Sequence, residues 1–510
     1  MKLQTVTPVL FLMAVFFIGC QEKDVGNRGE LTMATYASMH NKSMVSDSLN
    51  IRHFISKLVE TDTDSMPVDA HVRAYYREGR PFLWVDRPNL YPQMVDTLKE
   101  ILYAMHSHGF KPEAFKADRI DDDLRHLDSL RFDTANYQID RVLARLEYNL
   151  TKGYLRLVTG NRYGYFNPTK IFNHLYRDDF YVGRTVYRRV FDIPIEHPDS
   201  MFYERAYQSV GEGEGMLHFI EDSWPEEPFY GILRQQLDTV AAASSRNRIL
   251  CNMERCRWRQ LDNPREHQKR VVVNIPAYRV WAYDKDSVFT MKIVCGAKRT
   301  KTPLLTSRIN RMEMNPLWII PRSIIEKEIV HHIGDSAYFA RNHYYIKNKQ
   351  TGDTIPPQEL NMAIIKSPNY TFAQERGAGN SLGRIIFRFP NDFAVYLHDT
   401  NSPSVFQREN RAVSHGCVRL ERPFDMARFL LDDKNAKTLE KIRYSMRANL
   451  KNKESIDKEK MLSALPVEPA IPVFITYYTL FAGSDSTIHA YPDVYGYDAV
   501  ISNYLKNYTE

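Results

Sequence analysis

The sequence predicts an α+β multidomain fold, a helical region followed by a β-rich domain, and three observations carry that prediction. Ile139, Leu143, Leu146, Leu150, Tyr154 and Leu157 recur at steps of three and four, which places them on one apolar helix stripe. From Arg270 the period drops to two, with Val271, Val273 and Ile275 alternating with other residues. Between two strand-like runs, residues 324–381 return to helix and loop signals, which reads as an insertion covering one face of a sheet.

At the N-terminus, Met1-Lys2 and the apolar run Val9–Phe17 form an export signal too short to span a bilayer comfortably. It closes on Gly19-Cys20 and turns polar at Gln21-Glu22-Lys23-Asp24. This looks like a lipoprotein-type signal (1–20) with Cys20 as the lipid-bearing residue. The expected location is the cell envelope, periplasmic and lipid-anchored to a membrane. No later stretch approaches the ~18 apolar residues of a spanning helix. Residues 21–60 are polar and weakly periodic and read as a tether. Residues 61–265 read as helical. Leu98, Ile101, Leu102 and Met105 form a second stripe that ends near Gly109 and Pro112, the long stripe stops at Gly160-Asn161, and Asn252–Arg255 with Trp258 forms the last helix.

The β-rich domain, 268–435, opens with Val271–Ile275 and Tyr278–Tyr283, turns at Asp284-Lys285-Asp286 and returns over Val288–Val294. Met312–Ile320 and Ile385–Leu397 are further strands, and Pro423–Leu431 is a helix with Pro423 suited to its first turn. Residues 436–510 read as an extension packing on this domain. Within it Val473–Tyr478 and Thr487–Ala490 flank Gly483-Ser484-Asp485 in a hairpin pattern.

A net charge of +6, with both signs spread along the chain, leaves no compact basic patch and argues against nucleic-acid binding. Of the five cysteines, Cys20 belongs to the signal, and Cys251, Cys256 and Cys295 suit core packing, with no CxxC pair or regular disulfide framework. The fifth, Cys417, stands in Ser414-His415-Gly416-Cys417-Val418-Arg419-Leu420, nineteen positions after His398 at the end of an apolar run. A thiol attacks as thiolate, and a reference pKa near 8.5 keeps it mostly protonated at neutral pH. His415 and Cys417 are only two positions apart, so the backbone restricts their mutual orientation; His398 arrives from a separate strand and is the better base. Its second ring nitrogen needs an acceptor, either a nearby backbone carbonyl or the Asp399 carboxylate. The N–H groups around Gly416 and Cys417, helped by the following helix N-terminus, are candidate oxyanion donors. A lone cysteine is ordinarily a small buried hydrophobe, but Ser, His, Gly and Arg do not make an apolar pocket. Zinc held by His398, His415 and Cys417, completed by His331, His332 or Asp399, is chemically acceptable but lacks the compact ligand pairs of structural sites. No metal or cofactor is expected.

These residues resemble the L,D-transpeptidase (YkuD-type) catalytic domain of bacterial cell-wall enzymes. Asn274–Arg279, Thr302-Pro303, Asn315–Pro321 and Tyr396–Thr400 are similar to its large periplasmic branch, and Tyr75–Pro168, including His108–Pro112, resembles that branch's helical scaffold domain. No separate peptidoglycan-binding repeat module stands out. The resemblance implies that Cys417 is the nucleophile and His398 the base. Attack on the L-to-D bond of a peptidoglycan tetrapeptide stem releases D-alanine and forms a thioester, which the diaminopimelate amine of a second stem resolves as a 3→3 cross-link. It further implies that Ser414, His415 and Gly416 shape the cysteine loop and that Arg419 supports that loop or faces an anionic substrate. Trp318 and Tyr396 would line the substrate groove, and 324–381 would be a capping subdomain. Donor and acceptor stems, and a membrane through the lipid, are the expected partners. Water in place of the acceptor amine makes the same site an L,D-carboxypeptidase or endopeptidase, and a protein amine makes it a wall-attachment enzyme. A non-catalytic wall-binding lipoprotein is the alternative from a different class.

Overall fold

The computed structural model describes residues 46–85, 92–129, 131–132, 135–177, 185–211, 214–431, 436–483 and 487–509. Cys20 and the rest of the signal lie outside the described residues.

The segment whose polarity suggested a tether is helical from Ser48. In α1 (Ser48–Thr61), Ile51, Ile55 and Val59 supply one apolar residue per turn, and Asp47 caps the start by accepting from the Leu49 amide at 2.9 Å. With half-buried Phe54 and Leu58 beside them, the three apolar residues form a stripe that packs on α2 (Ile139–Tyr163), the long helix at the centre of the N-terminal half. The α2 helix passes its expected stop at Gly160-Asn161 and ends at Gly164, whose φ of +89° suits glycine. Gly160 is there for space, since a Cβ on it would lie 2.2 Å from the Tyr165 ring.

Because α2 is buried on most sides, its polar groups find partners inside the protein. Glu147 accepts from the Leu83, Trp84 and Val85 amides at 2.6, 2.8 and 3.1 Å and from the Tyr76 hydroxyl at 2.7 Å. Arg156 pairs with Asp69 at 2.8 Å, and Lys152 with Asp62 at 2.6 Å. Charges this deeply buried persist only when paired and hydrogen-bonded.

The C-terminal half contains a closed eight-stranded barrel. Its staves are β1 (Lys269–Asn274), β2 (Arg279–Asp284), β3 (Ser287–Gly296), β4 (Leu304–Met314), β5 (Ile385–Arg388), β6 (Leu397–His398), β7 (Val418–Leu420) and β8 (Ala464–Thr476). Their order is β4-β5-β6-β7-β3-β2-β1-β8, and β8 pairs back onto β4. Neighbours are antiparallel except β6 with β7 and β1 with β8, which run parallel. Residues 464–476, expected within a C-terminal extension, are therefore a stave, and a register shift between Pro466 and Ile471 accommodates a proline-rich strand. The hairpin forms later than its sequence pattern indicated, between Leu480–Ala482 and Ile488–Ala490.

Two expected strands are each divided in two. Ile385–Leu397 splits into β5 and β6 because Pro390 cannot donate to a ladder and Asn391 folds the chain into a turn. The Asn391 side chain bonds the Phe389 and Val395 carbonyls and the Phe393 and Val395 amides. Met312–Ile320 breaks at Asn315 (φ +48°), after which Trp318–Ile319 joins a separate four-stranded sheet with Tyr370–Gln374, Tyr344–Asn348 and Thr354–Ile355. This inserted unit has its own core around Ile324, Ile329, Phe339, Ile346 and Phe372.

After β7 comes α4 (Pro423–Leu431), and near the end of the chain α5 (Tyr497–Leu505) ties the two halves together. Arg255 on α3 (Ala243–Arg257) pairs with Asp498 on α5 at 2.6 Å, and Tyr508 packs among Phe110, Phe115 and Tyr165. One hydrophobic core consequently runs from the helices into the barrel. Among the described residues, no helix is long and apolar enough to cross a membrane.

Candidate active site

Parallel pairing of β6 with β7 sets Leu397 opposite Val418 and His398 opposite Arg419. The nineteen-residue separation of His398 and Cys417 is thereby reduced to two adjacent strands, about 4.8 Å apart. The Val418 amide donates to the Tyr396 carbonyl at 3.0 Å, which fixes Cys417 beside Tyr396.

His398 is buried, and its Nδ1 lies 2.5 Å from the Asp399 carbonyl oxygen. A carbonyl can only accept, so Nδ1 carries the hydrogen and Nε2 keeps its lone pair. Burial, reinforced by the positive charge of Arg419, pushes the imidazole down to about 4, while the Asp399 and Leu382 carbonyls pull weakly upward. Of the two acceptors open to this ring, the carbonyl is the one used. The Asp399 carboxylate turns away to accept from the Arg384 amide at 2.8 Å, close against Gly383, where a Cβ would lie 2.4 Å from that of Asp399.

The Cys417 thiol donates to the Ala394 carbonyl at 3.8 Å rather than to His398. Burial raises its pKa above the ordinary value; the Tyr396 amide and the charges of Arg419 and Arg388 only partly oppose this. The resting pair is therefore a neutral thiol beside a neutral imidazole.

Ser414 is the fastener of the cysteine loop. Its hydroxyl donates to the Cys417 carbonyl at 2.6 Å and accepts from the Gly416 amide at 3.1 Å. That engagement removes Gly416 from the expected oxyanion donors and leaves the Cys417 amide, which has no acceptor among the described residues. The expected help from a following helix N-terminus is also absent, because β7 intervenes before α4. Gly416 has a φ of +126°, and the nearest atom to a Cβ would be 3.6 Å away, so conformation rather than space demands glycine.

The other sequence candidates are placed less centrally. His415 turns to the surface, where its Nε2 meets the Glu328 carboxylate of the insertion. Tyr396 stands next to Cys417, with the Arg388 guanidinium 5.0 Å and the Phe389 ring 5.8 Å from it. Trp318 packs in the inserted sheet, edge-on to Tyr344 at 6.2 Å. With His415 on Glu328 and His398 on a carbonyl, the zinc set does not assemble; among the described residues no group of three His, Cys, Asp or Glu could hold a metal ion. Cys251, Cys256 and Cys295 are free and buried. Glu328 and Tyr495, the latter bonded behind the cysteine loop, were not legible in the sequence, because neither has a local pattern that links it to residues 414–417.

Residues 268–440 match the L,D-transpeptidase catalytic domain (YkuD), and residues 70–237 match a family described as the scaffold domain. The chain carries an L,D-transpeptidase catalytic domain and a scaffold domain. A Haemophilus influenzae protein named "Putative L,D-transpeptidase" is 28% identical over 310 residues, which are 60% of this chain and 60% of that protein. A solved L,D-transpeptidase from Mycobacterium smegmatis matches at 14% identity, covering 41% of this chain and 58% of that one, with a TM-score of 0.19 that bears no weight on the fold.

Proposed function

We propose that this protein forms 3→3 cross-links in peptidoglycan through a thioester on Cys417. The observation that carries the reading is the buried, neutral His398, whose Nδ1 hydrogen goes to the Asp399 carbonyl, which makes Nε2 the basic nitrogen, on the strand beside the one that follows Cys417. Nε2 takes the thiol proton as sulfur attacks the carbonyl carbon of the L-to-D bond in a donor tetrapeptide. The resulting oxyanion is met by the Cys417 amide. Collapse breaks the carbon–nitrogen bond, His398 returns the proton to the departing D-alanine amine, and a thioester remains. The side-chain amine of an acceptor stem then attacks the thioester, loses its proton through His398, and expels the Cys417 sulfur. The inserted subdomain, linked to the cysteine loop through Glu328 and His415, limits water while the thioester waits. Lipidation at Cys20 would hold the enzyme at a membrane of the cell envelope, within reach of its polymeric substrate.

Purified protein incubated with donor and acceptor tetrapeptide muropeptides tests the reading by mass spectrometry. A 3→3 dimer that disappears with Cys417→Ala supports it. Tripeptide without dimer assigns the chain to hydrolysis, and product formation unchanged by Cys417→Ala refutes cysteine catalysis.

A further inference from the structure

Behind the cysteine loop lies a buried hydrogen-bonded bracket that begins outside the matched catalytic domain. The Tyr495 hydroxyl donates to the Gly296 carbonyl at 2.7 Å and accepts from the Thr302 amide at 3.1 Å. The Thr302 hydroxyl accepts from the Gly296 amide at 2.8 Å and donates to the Gly416 carbonyl at 2.7 Å. Carbonyls can only accept, so each hydroxyl has one hydrogen to give and its direction is forced. Tyr495 is itself fixed, because its amide donates to the Tyr477 hydroxyl at 2.7 Å and that hydroxyl donates to Asp493 at 2.5 Å. Gly296 admits this close approach of the 300–302 backbone, since a Cβ there would lie 2.0 Å from the Thr300 carbonyl oxygen.

The Gly416 carbonyl and the Cys417 amide belong to one planar trans peptide and point in opposite directions. Holding the carbonyl inward therefore aims the amide outward. Glycine at position 416 gives this peptide unusual freedom to rotate, and the Thr302 hydroxyl is the side-chain anchor that removes it. We propose that Tyr495 is a positioning residue for acyl transfer: through Thr302 and the Gly416–Cys417 peptide plane it orients the Cys417 amide towards the oxyanion. This inference rests on the reading of Cys417 as an acylated nucleophile. It extends the functional site into residues 493–495, beyond the catalytic-domain match that ends at 440.

The test compares two reactions of the same sulfur in the full chain. Acylation by a carbapenem passes through an oxyanion; alkylation by iodoacetamide needs the thiolate but forms no oxyanion. In Tyr495→Phe, which keeps the ring and loses both bonds, the acylation rate constant is expected to fall at least about tenfold. The alkylation rate and its pH profile are expected to stay within twofold. Thr302→Val should reproduce the selective loss and Thr302→Ser should restore it, and this pair decides the matter if Tyr495→Phe fails to fold. Acylation within twofold of the parent overturns the proposal, as does a parallel fall in both rates. A parent protein that acylates normally but makes no cross-link would sink the proposed function and leave this inference standing.

Discussion

The charge state of the Cys417–His398 pair can be tested directly through the pH dependence of thiol alkylation. Burial holds the thiol above its usual value and, with Arg419, pushes the imidazole down to about 4. Moving the proton from sulfur to nitrogen is then uphill before the attraction between the new ions is counted. At pH 7 only a small minority of Cys417 is thiolate. Iodoacetamide labelling of Cys417, followed by intact-protein mass spectrometry from pH 5 to 10, should therefore quicken about tenfold per pH unit with no plateau below pH 9. Arg419→Met removes a cation that favours the thiolate, so labelling at a fixed pH near 8 should slow several-fold. A flat labelling rate between pH 5 and 8 would reveal a preformed thiolate–imidazolium pair and refute the reasoning.

Three further outcomes follow from groups already described. His398 has a folded pKa of about 4 against its usual 6.5, so the unfolded chain binds more protons between those values. Its contribution, roughly 3 kcal/mol, is whole above pH 6.5 and is lost as pH falls towards 4; His398→Gln should flatten that part of a urea-midpoint profile. Ser414→Ala removes the bonds to the Cys417 carbonyl and the Gly416 amide, and should destabilise by about 1–3 kcal/mol while lowering acylation more than alkylation. Asp498→Ala strands the buried Arg255 and should cost about 3–5 kcal/mol in thermal unfolding, most of it recovered by pairing the change with Arg255→Met.

Periodicity and chemistry made much of this molecule legible in advance. The α2 stripe, the change of period at Arg270 and the helix from Pro423 are local signals that tertiary contacts reinforce. His398 and Cys417 could be paired because a thiol nucleophile requires a base and the adjacent histidine had the wrong tether. Elsewhere the decisive facts are non-local. The closure of the barrel by β8 depends on parallel pairing with β1, which no residue in 464–476 announces, and strand character was legible there only from Val473 onward. The donor role of Gly416 was misjudged because Ser414 accepts from its amide through a side-chain rotamer, which sequence does not encode visibly. The helix α1 was missed because the apolar stripe of Ile51, Phe54, Ile55, Leu58 and Val59 was lost in a polar composition.

The late position of β8 has a consequence for how the protein is made. Until residues 464–476 have emerged and paired, β1 and β4 are two unpaired sheet edges, and the sheet that carries His398 and Cys417 stays open. The Tyr495 bracket arrives later still, so the reactive sulfur is synthesised well before the parts that bury and aim it. A nascent chain shorter than this is a sticky, unfinished sheet bearing an accessible thiol. Chaperoning and redox protection matter most in that interval, and a chain truncated before β8 should aggregate rather than act as a slower enzyme.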